Sequence, residues 1–126
     1  MKKILIVDDD RDLRTVMKTV LGKNYDIQEA GSAKEGLAAA VKFQPDLVLL
    51  DVMMETLSAG FDLARELKTS KQTKAAKILM ITNVDKEMKI DYQSETGDKS
   101  WLPADGYIVK PVDPMALLAK VQKLLS

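Results

Sequence analysis

Short apolar segments alternate along this chain with longer segments that have the residue spacing of amphipathic helices. The segments predicted as strands span residues 4–7, 26–30, 47–50, 78–81 and 107–109. The first, third and fourth are continuous apolar runs, which are typical of strands covered on both faces of a parallel sheet. Because parallel strands need crossover connections, and because these are almost always right-handed, the alternation predicts a doubly wound α/β fold.

Three of the predicted helices carry a local start or stop signal. An apolar stripe in the first helix is followed by Gly22, a typical stop signal. Ser32 and Glu35 form a candidate capping box for the second, and Asp113 followed by Pro114 is typical of the start of the last. The predicted apolar faces of the first three are Leu13, Val16, Met17, Val20 and Leu21, then Leu37, Ala40 and Val41, then Phe61, Ala64 and Leu67. Five parallel strands suit the flavodoxin-like order 2-1-3-4-5, with five helices around them.

The composition limits the chemistry that the chain can perform. Its 126 residues fit one domain, residues 1–126, and the absence of cysteine excludes disulfides and thiolate metal sites. The absence of histidine excludes the usual general base and the commonest zinc ligand. The 19 basic and 19 acidic residues cancel, so we expect no direct contact with nucleic acid. The first apolar run is too short for a signal peptide or a membrane span, so we expect a cytoplasmic protein with no membrane partner.

Complementary polar side chains follow four of the predicted strands. They are Asp8, Asp9 and Asp10 after the first, Asp51 after the third, Thr82 after the fourth and Lys110 after the fifth. In sheets of this class the active site lies at the carboxyl ends of the strands, so these groups should meet at one edge. Carboxylate oxygens are the ligands that Mg²⁺ prefers, and a carboxylate can attack phosphorus to form an acyl phosphate. A lysine and a hydroxyl could then stabilise the phosphoryl oxygens.

The order and spacing of these motifs resemble a known family, the receiver domains of two-component response regulators. The resemblance covers residues 2–125. It is carried by Ile-Leu-Ile-Val-Asp-Asp-Asp at 4–10, Asp-Leu-Val-Leu-Leu-Asp at 46–51, Ile-Thr at 81–82 and Lys-Pro at 110–111. Each motif alone is weak, but their succession is specific.

The resemblance implies roles for the acidic residues. Asp51 corresponds to the phosphoryl acceptor. Asp9 corresponds to the acid that binds Mg²⁺ directly, and Asp8 to the acid that acts on the metal largely through water. The backbone carbonyl of Met53, two residues past the acceptor, would complete the protein's share of the metal ligands.

The resemblance also implies roles around the phosphoryl group. Thr82 and Lys110 would contact it, and Tyr107 corresponds to the aromatic residue that moves when Thr82 shifts toward the phosphate. The bond before Pro111 is expected to be cis. Asp10 matches no required role, and we expect it to cap or solvate the first helix.

Two regions depart from the pattern of the family. Asn83 stands where most members have a small residue, and it could either point to solvent or partly cover the phosphate. Met53 and Val84 place apolar side chains at positions that, in the family, border the route of the hydrolytic water, so we predict a long-lived phosphorylated state. The connection between Thr82 and Lys110 is longer than usual and lacks a helical stripe, so the fourth helix should be short or irregular. Trp101 within it could anchor a partner or pack on its own domain.

The leading functional hypothesis is therefore a signalling module. It would accept a phosphoryl group from a histidine kinase or a histidine phosphotransfer protein and act on an unknown downstream protein. It would not be an enzyme beyond its own phosphorylation and dephosphorylation. Since the sequence shows no output domain before Ser126, it could be a free regulator, a relay carrier or part of a longer protein.

Other functions stay open. A scaffold with the receiver fold would bind a partner without phosphorylation. A Mg²⁺-dependent phosphatase with an aspartyl phosphate would need a second acid at position 53, which is Met53. A flavodoxin-like cofactor binder would need a phosphate-binding loop after the first strand, where three aspartates would repel the ligand.

Overall fold

The computed structural model describes residues 1–51, 57–82, 104–109 and 112–125, with the backbone alone for 57–61 and 82. The strands are β1 Lys3–Val7, β2 Asp26–Ala30, β3 Leu47–Asp51, β4 Lys77–Thr82 and β5 Gly106–Val109. The helices are α1 Arg11–Leu21, α2 Ala33–Phe43, α3 Leu57–Thr69 and α4 Pro114–Leu125. Helix α4 is the last of the helices predicted from the sequence. The predicted fourth helix falls within residues 84–105, most of which lie outside the described residues.

All five strands are parallel and form one sheet in the order β2-β1-β3-β4-β5, which confirms the predicted fold. Val7 in β1 pairs with Leu50 in β3, and Leu50 pairs with Met80 in β4. The carboxyl ends of the three central strands are therefore level with one another. Within the described part of the chain, no helix has both the length and the apolar character that crossing a membrane requires.

Successive residues of each central strand face opposite sides of the sheet, and each side has its own core. The α2–α3 core consists of Leu5, Val7, Ala30, Ala40, Val48, Leu50, Leu63, Ala64, Leu67, Ala76, Ile78 and Met80. The α1–α4 core consists of Ile4, Ile6, Met17, Leu21, Leu47, Leu49, Leu79, Ile81, Leu117 and Val121. Burial of each large apolar side chain stabilises the fold by about 1.5–3 kcal/mol. The unbroken apolar runs of β1 and β3 are thus explained, because both faces of these strands are covered.

Helix α1 begins with a side-chain cap. The Oδ1 atom of Asp10 accepts hydrogen bonds from the backbone N–H groups of Asp12 (3.0 Å) and Leu13 (3.2 Å). Asp10 has extended backbone angles, φ −87° and ψ 105°, as an N-cap residue should. This cap ends the Asp8–Asp10 turn at a fixed place and starts the helix directly behind it.

Helix α2 lies unusually close to β1. A Cβ atom on Gly36 would lie 2.9 and 3.0 Å from the two methyl groups of Val7 and 3.2 Å from Leu63 Cδ2. Gly36 and Ala40 are the buried residues of this helix. Ala40 confirms the predicted apolar face, and Leu37 packs partly buried against the α2–α3 core, but Gly36 was not part of that prediction. The buried face includes these small residues because they allow this approach. Val7 is thereby packed directly before Asp8.

Candidate functional site

Three carboxylates meet at the carboxyl edge of the sheet. Asp8 and Asp9 directly follow β1, and Asp51 is the last residue of the neighbouring strand β3. One carboxylate oxygen from each residue lies within 4.8 Å of the others. Asp8 is 0% and Asp51 is 1% exposed, while Asp9 is exposed. The pairing of Val7 with Leu50 brings them together, because the next residue of each strand lies at the same level.

The backbone and the side chain of Asp8 are both fixed. Its N–H donates to the carbonyl of Ala30 (3.1 Å), which extends the pairing of β1 with β2 by one residue. Its Oδ1 atom accepts a hydrogen bond from the N–H of Asp10 (2.8 Å). The turn from Asp8 to Asp10 therefore has a defined shape, and it presents the Asp9 carboxylate on the exposed side of the cluster.

The chemistry of this donor set fits a hard divalent cation. Two buried carboxylates and a third beside them repel one another, and burial of charge is unfavourable without a compensating partner. Mg²⁺ takes oxygen ligands and retains several waters, so a site with one exposed side suits it. Asp8, Asp9 and Asp51 are the described residues that could hold the ion. The carbonyl of Met53, the fourth predicted ligand, lies outside the described residues.

The predicted phosphate-binding residues are only partly within the described chain. Thr82 is the last residue of β4, and its predecessor Ile81 pairs with Asp51, so the backbone of Thr82 is at the same edge of the sheet. Lys110 and Pro111 lie outside the described residues, as do Asn83 and Trp101. Their predicted roles stay predictions.

Tyr107, the predicted switch residue, lies in β5 opposite Met80 of β4. Its side chain is half-buried and packs against the α2–α3 core. Its ring is therefore on the face of the sheet that carries α2 and α3, and not on the α1–α4 side. The switch itself stays a prediction.

A basic residue that was not predicted from the sequence contacts the turn from Asp8 to Asp10. The Nη1 atom of Arg14 donates to the backbone carbonyl of Asp8 (2.5 Å), and its Nε donates to Oε1 of Glu29 (3.1 Å). One signal could have revealed it. Arg14 adjoins Leu13 and stands three residues before Met17, so it belongs to the inward side of α1, where a charged group needs a partner.

Comparison with known proteins shows the family to which this fold belongs. The sequence profile of the response regulator receiver domain matches residues 4–122. This chain belongs to that family. It is a receiver domain of the kind found in two-component response regulators.

Curated relatives include two transcriptional regulators. The DNA-binding dual master transcriptional regulator RpaA of Synechocystis sp. is 34% identical over 128 residues, which cover 99% of this chain and 49% of that protein. The phosphate regulon transcriptional regulatory protein PhoB of Pseudomonas aeruginosa is 36% identical over 125 residues, which cover 98% of this chain and 52% of that protein. The chain thus spans about half the length of the curated relatives it matches.

Solved structures share the fold along the whole chain. The chemotaxis protein CheY4 of Vibrio cholerae has a TM-score of 0.83 and 29% identity, and the match covers 99% of both chains. A CheY-like receiver domain protein from Methanospirillum hungatei JF-1 has a TM-score of 0.80 and 30% identity over 99% of this chain and 94% of that one. These similarities agree with the strand order and with phosphorylation-based signalling as the general function of the family.

Proposed function

We propose that this chain accepts a phosphoryl group on Asp51 in a Mg²⁺-dependent reaction and signals the result to another protein by a change in conformation. The observation that carries the proposal is the convergence of Asp8, Asp9 and Asp51 at the carboxyl edge of the sheet. Asp51 ends the central strand of that sheet, so its carboxylate has a rigid support and two acidic neighbours on one side. The receiver domain extends over residues 1–126.

The phosphoryl donor is a phosphohistidine of a histidine kinase or of a histidine phosphotransfer protein. A carboxylate oxygen of Asp51 bonds to phosphorus while the bond from phosphorus to the imidazole nitrogen breaks, which leaves an acyl phosphate on Asp51. The electron pair of the broken bond stays on the donor imidazole. The chain catalyses this transfer and its later hydrolysis on itself, and it turns over no separate substrate.

The acidic neighbours prepare Asp51 for this role. Asp9, on the exposed side, would hold Mg²⁺ directly, while the buried Asp8 would act on it through water, and the carbonyl of Met53 would add a further oxygen. When bound, the ion offsets the negative charge of the carboxylates and of the incoming phosphoryl oxygens. Without that compensation, an anionic phosphoryl group would be repelled by three carboxylates at close range.

Residues of the neighbouring strands β4 and β5 respond to the phosphoryl group. The Thr82 hydroxyl and the Lys110 ammonium contact its oxygens, and Tyr107 moves when Thr82 is drawn toward the phosphate. We also propose, from the resemblance to the family, a cis bond before Pro111. Two positions support the proposed roles of Thr82 and Tyr107. Thr82 directly follows Ile81, which pairs with Asp51, and Tyr107 lies in β5, the strand next to β4.

The partners follow from the same chemistry. We propose a cytoplasmic protein that contacts a histidine kinase or a phosphotransfer protein on one side of its reaction and a downstream protein on the other. Relatives such as RpaA are named as DNA-binding, but this chain matches about half of them. Its 19 basic and 19 acidic residues give no net charge that would favour direct binding to nucleic acid.

The proposal is tested by phosphorylation with acetyl phosphate in the presence of Mg²⁺, followed by the intact mass. We expect one added phosphoryl group in the wild type and none in Asp51→Asn. Asp26→Asn, which changes an exposed carboxylate at the start of β2, is the matched control and should be modified like the wild type. No modification of the wild type by acetyl phosphate, or by a phosphorylated histidine kinase, would instead favour the scaffold function.

A further inference from the structure

Arg14 connects the acidic turn to the edge strand of the sheet. Its Nη1 atom is 2.5 Å from the carbonyl oxygen of Asp8, and its Nε is 3.1 Å from Oε1 of Glu29 in β2. The Arg14 side chain is 17% exposed and the Glu29 side chain 30%. The planar guanidinium therefore joins two acceptors of different elements, through a partly buried bond to Asp8 and a surface bond to Glu29.

The bond to the carbonyl completes the fixation of Asp8. The N–H of Asp8 already bonds to the carbonyl of Ala30, and Oδ1 accepts from the N–H of Asp10. With Arg14 on the carbonyl oxygen, both backbone polar atoms of Asp8 are held. The peptide plane between Asp8 and Asp9 can then no longer rotate freely. That plane sets the direction in which the Asp9 carboxylate leaves the chain.

We propose that Arg14, oriented by Glu29, is a positioning residue for the metal site. Its guanidinium fixes the peptide between Asp8 and Asp9 and so pre-organises the two carboxylates for Mg²⁺. Arg14 touches neither the ion nor the phosphoryl group. This inference rests on the function proposed above, since it assigns Arg14 to the same site.

Loss of the Arg14 charge and loss of its positioning bond should change the Mg²⁺ affinity in opposite directions. Arg14 is a cation bonded to the backbone of Asp8, beside the metal site, so the loss of its charge alone would strengthen the attraction of Mg²⁺. The loss of positioning would weaken it, as removal of outer hydrogen-bond partners does in other metal sites. A weaker affinity after removal of a neighbouring positive charge therefore has no Coulombic explanation.

The test is a Mg²⁺ titration of Arg14→Met by ¹H–¹⁵N NMR, which follows the amide of Asp10 that bonds to Asp8 Oδ1. We expect the dissociation constant for Mg²⁺ to rise about threefold to tenfold. This is less than the loss typical when a group that hydrogen-bonds directly to a ligand side chain is removed, because Arg14 bonds to the backbone. Before any Mg²⁺ is added, the Asp10 amide should already shift. Arg14→Lys keeps the charge without the planar fork, so its affinity should fall between those of Arg14→Met and the wild type.

Lys18→Met is the matched control. Lys18 is one turn further along α1 and forms the other ion pair of Glu29, at 3.5 Å, with 56% of its side chain exposed. This change also removes one positive charge near Glu29, but it leaves the bond from Arg14 to Asp8 in place. Its Mg²⁺ affinity should be unchanged or slightly higher than that of the wild type.

The outcomes separate this inference from the proposed function. Wild-type protein that binds Mg²⁺, with equal or tighter binding in folded Arg14→Met, would overturn the positioning role and leave the proposed function intact. Wild-type protein that binds no Mg²⁺ would overturn both. Thermal unfolding without Mg²⁺ gives the second readout. If Arg14→Met lowers the melting temperature but leaves both the Mg²⁺ affinity and the Asp10 amide unchanged, Arg14 is only structural and the inference is wrong.

Discussion

Lys68 on α3 and Asp105 before β5 form an ion pair in which Nζ lies 2.8 Å from Oδ2. The same oxygen accepts the N–H of Ile78 at 2.8 Å, and the N–H of Asp105 donates to the carbonyl of Ile78 at 2.8 Å. Lys68 also donates to the carbonyl of Ala76 at 3.1 Å. These bonds fix the place at which β5 begins beside β4. They therefore also fix the position of Tyr107 along β5, opposite Met80 of β4.

We expect Asp105→Ala to lower the free energy of unfolding by about 2 kcal/mol, because it leaves the Ile78 N–H and the Lys68 ammonium without their shared acceptor. Asp105→Asn keeps an acceptor and should lose about half as much. Urea unfolding measures both. Lys71→Met, an exposed lysine two residues past α3, is the control and should change stability by less than about 0.5 kcal/mol. Equal stabilities for all three variants would contradict a role of Asp105 in holding β5.

Gly36→Ala tests the close approach of α2 to β1. In an exposed helix the change would stabilise by about 1 kcal/mol, but here the new methyl group would overlap the methyl groups of Val7, an overpacking that costs about 1–3 kcal/mol. We expect a net destabilisation of about 1 kcal/mol in chemical unfolding. Ala38→Gly, at an exposed position of the same helix, measures the helix propensity alone. A more stable Gly36→Ala protein would show that Val7 can shift away from the new methyl group with little loss of free energy.

Gln44→Gly should make the protein more stable. Gln44 caps the end of α2 with φ 52° and ψ 64°, the left-handed conformation that a side chain disfavours. Removal of that strain outweighs the greater freedom of glycine in the unfolded chain, so we expect a gain of about 0.5 kcal/mol. Lys42→Gly, an exposed position inside the same helix, should lose about 1 kcal/mol in the same thermal unfolding assay. A loss at both positions would mean that Gln44 makes contacts that offset its backbone strain.

Asp51→Asn should have opposite effects with and without Mg²⁺. Without the ion, removal of one of three close carboxylates relieves repulsion and should raise the free energy of unfolding by about 1 kcal/mol. The wild type gains stability as Mg²⁺ is added, because the ion binds the folded state, and the variant should lose most of this gain. Thermal unfolding in EDTA and over a series of Mg²⁺ concentrations measures both effects. Asp26→Asn should follow the wild type throughout, and a Mg²⁺ response that persists in Asp51→Asn would contradict the assigned ligand set.

Slow hydrolysis of the acyl phosphate is a prediction from the residues around the site. We expect Met53→Asn to shorten the lifetime of the phosphorylated state several-fold, because a polar side chain there can orient a hydrolytic water. The measurement is the release of phosphate after removal of excess acetyl phosphate. Met115→Asn, at an exposed position of α4, serves as the control. Release within seconds from the wild type would contradict the long-lived state.

The sheet and the acidic cluster were predictable because both depend on strong local patterns. The apolar runs at 4–7 and 47–50 specify buried parallel strands, and the rule that sites lie at strand ends then places Asp8, Asp9 and Asp51 together. The cap at Asp10 was likewise visible, since its acceptor and its donors are neighbours in the chain.

What could not be predicted depends on distances between elements. The Asp8 carbonyl that Arg14 contacts carries no signal in the sequence, and Glu29 is fifteen residues from Arg14 along the chain. Gly36 was also missed on the buried face of α2, because large apolar residues usually define a core, whereas here the close approach of α2 to β1 leaves no room for a Cβ atom. In α1, Val16 was assigned to the inner face but is 47% exposed, because the buried face is centred on Met17 and Leu21.

The separation of the sheet into two cores means that adjacent residues of β1 sense different surroundings. Among the described residues, Leu5 belongs to the α2–α3 core and Ile6 to the α1–α4 core. A pair of isotope-labelled methyl groups at these positions would therefore act as two independent reporters within a single strand. On phosphorylation of Asp51, a shift at Leu5 with none at Ile6 would assign the transmitted change to the side of the sheet on which Tyr107 lies.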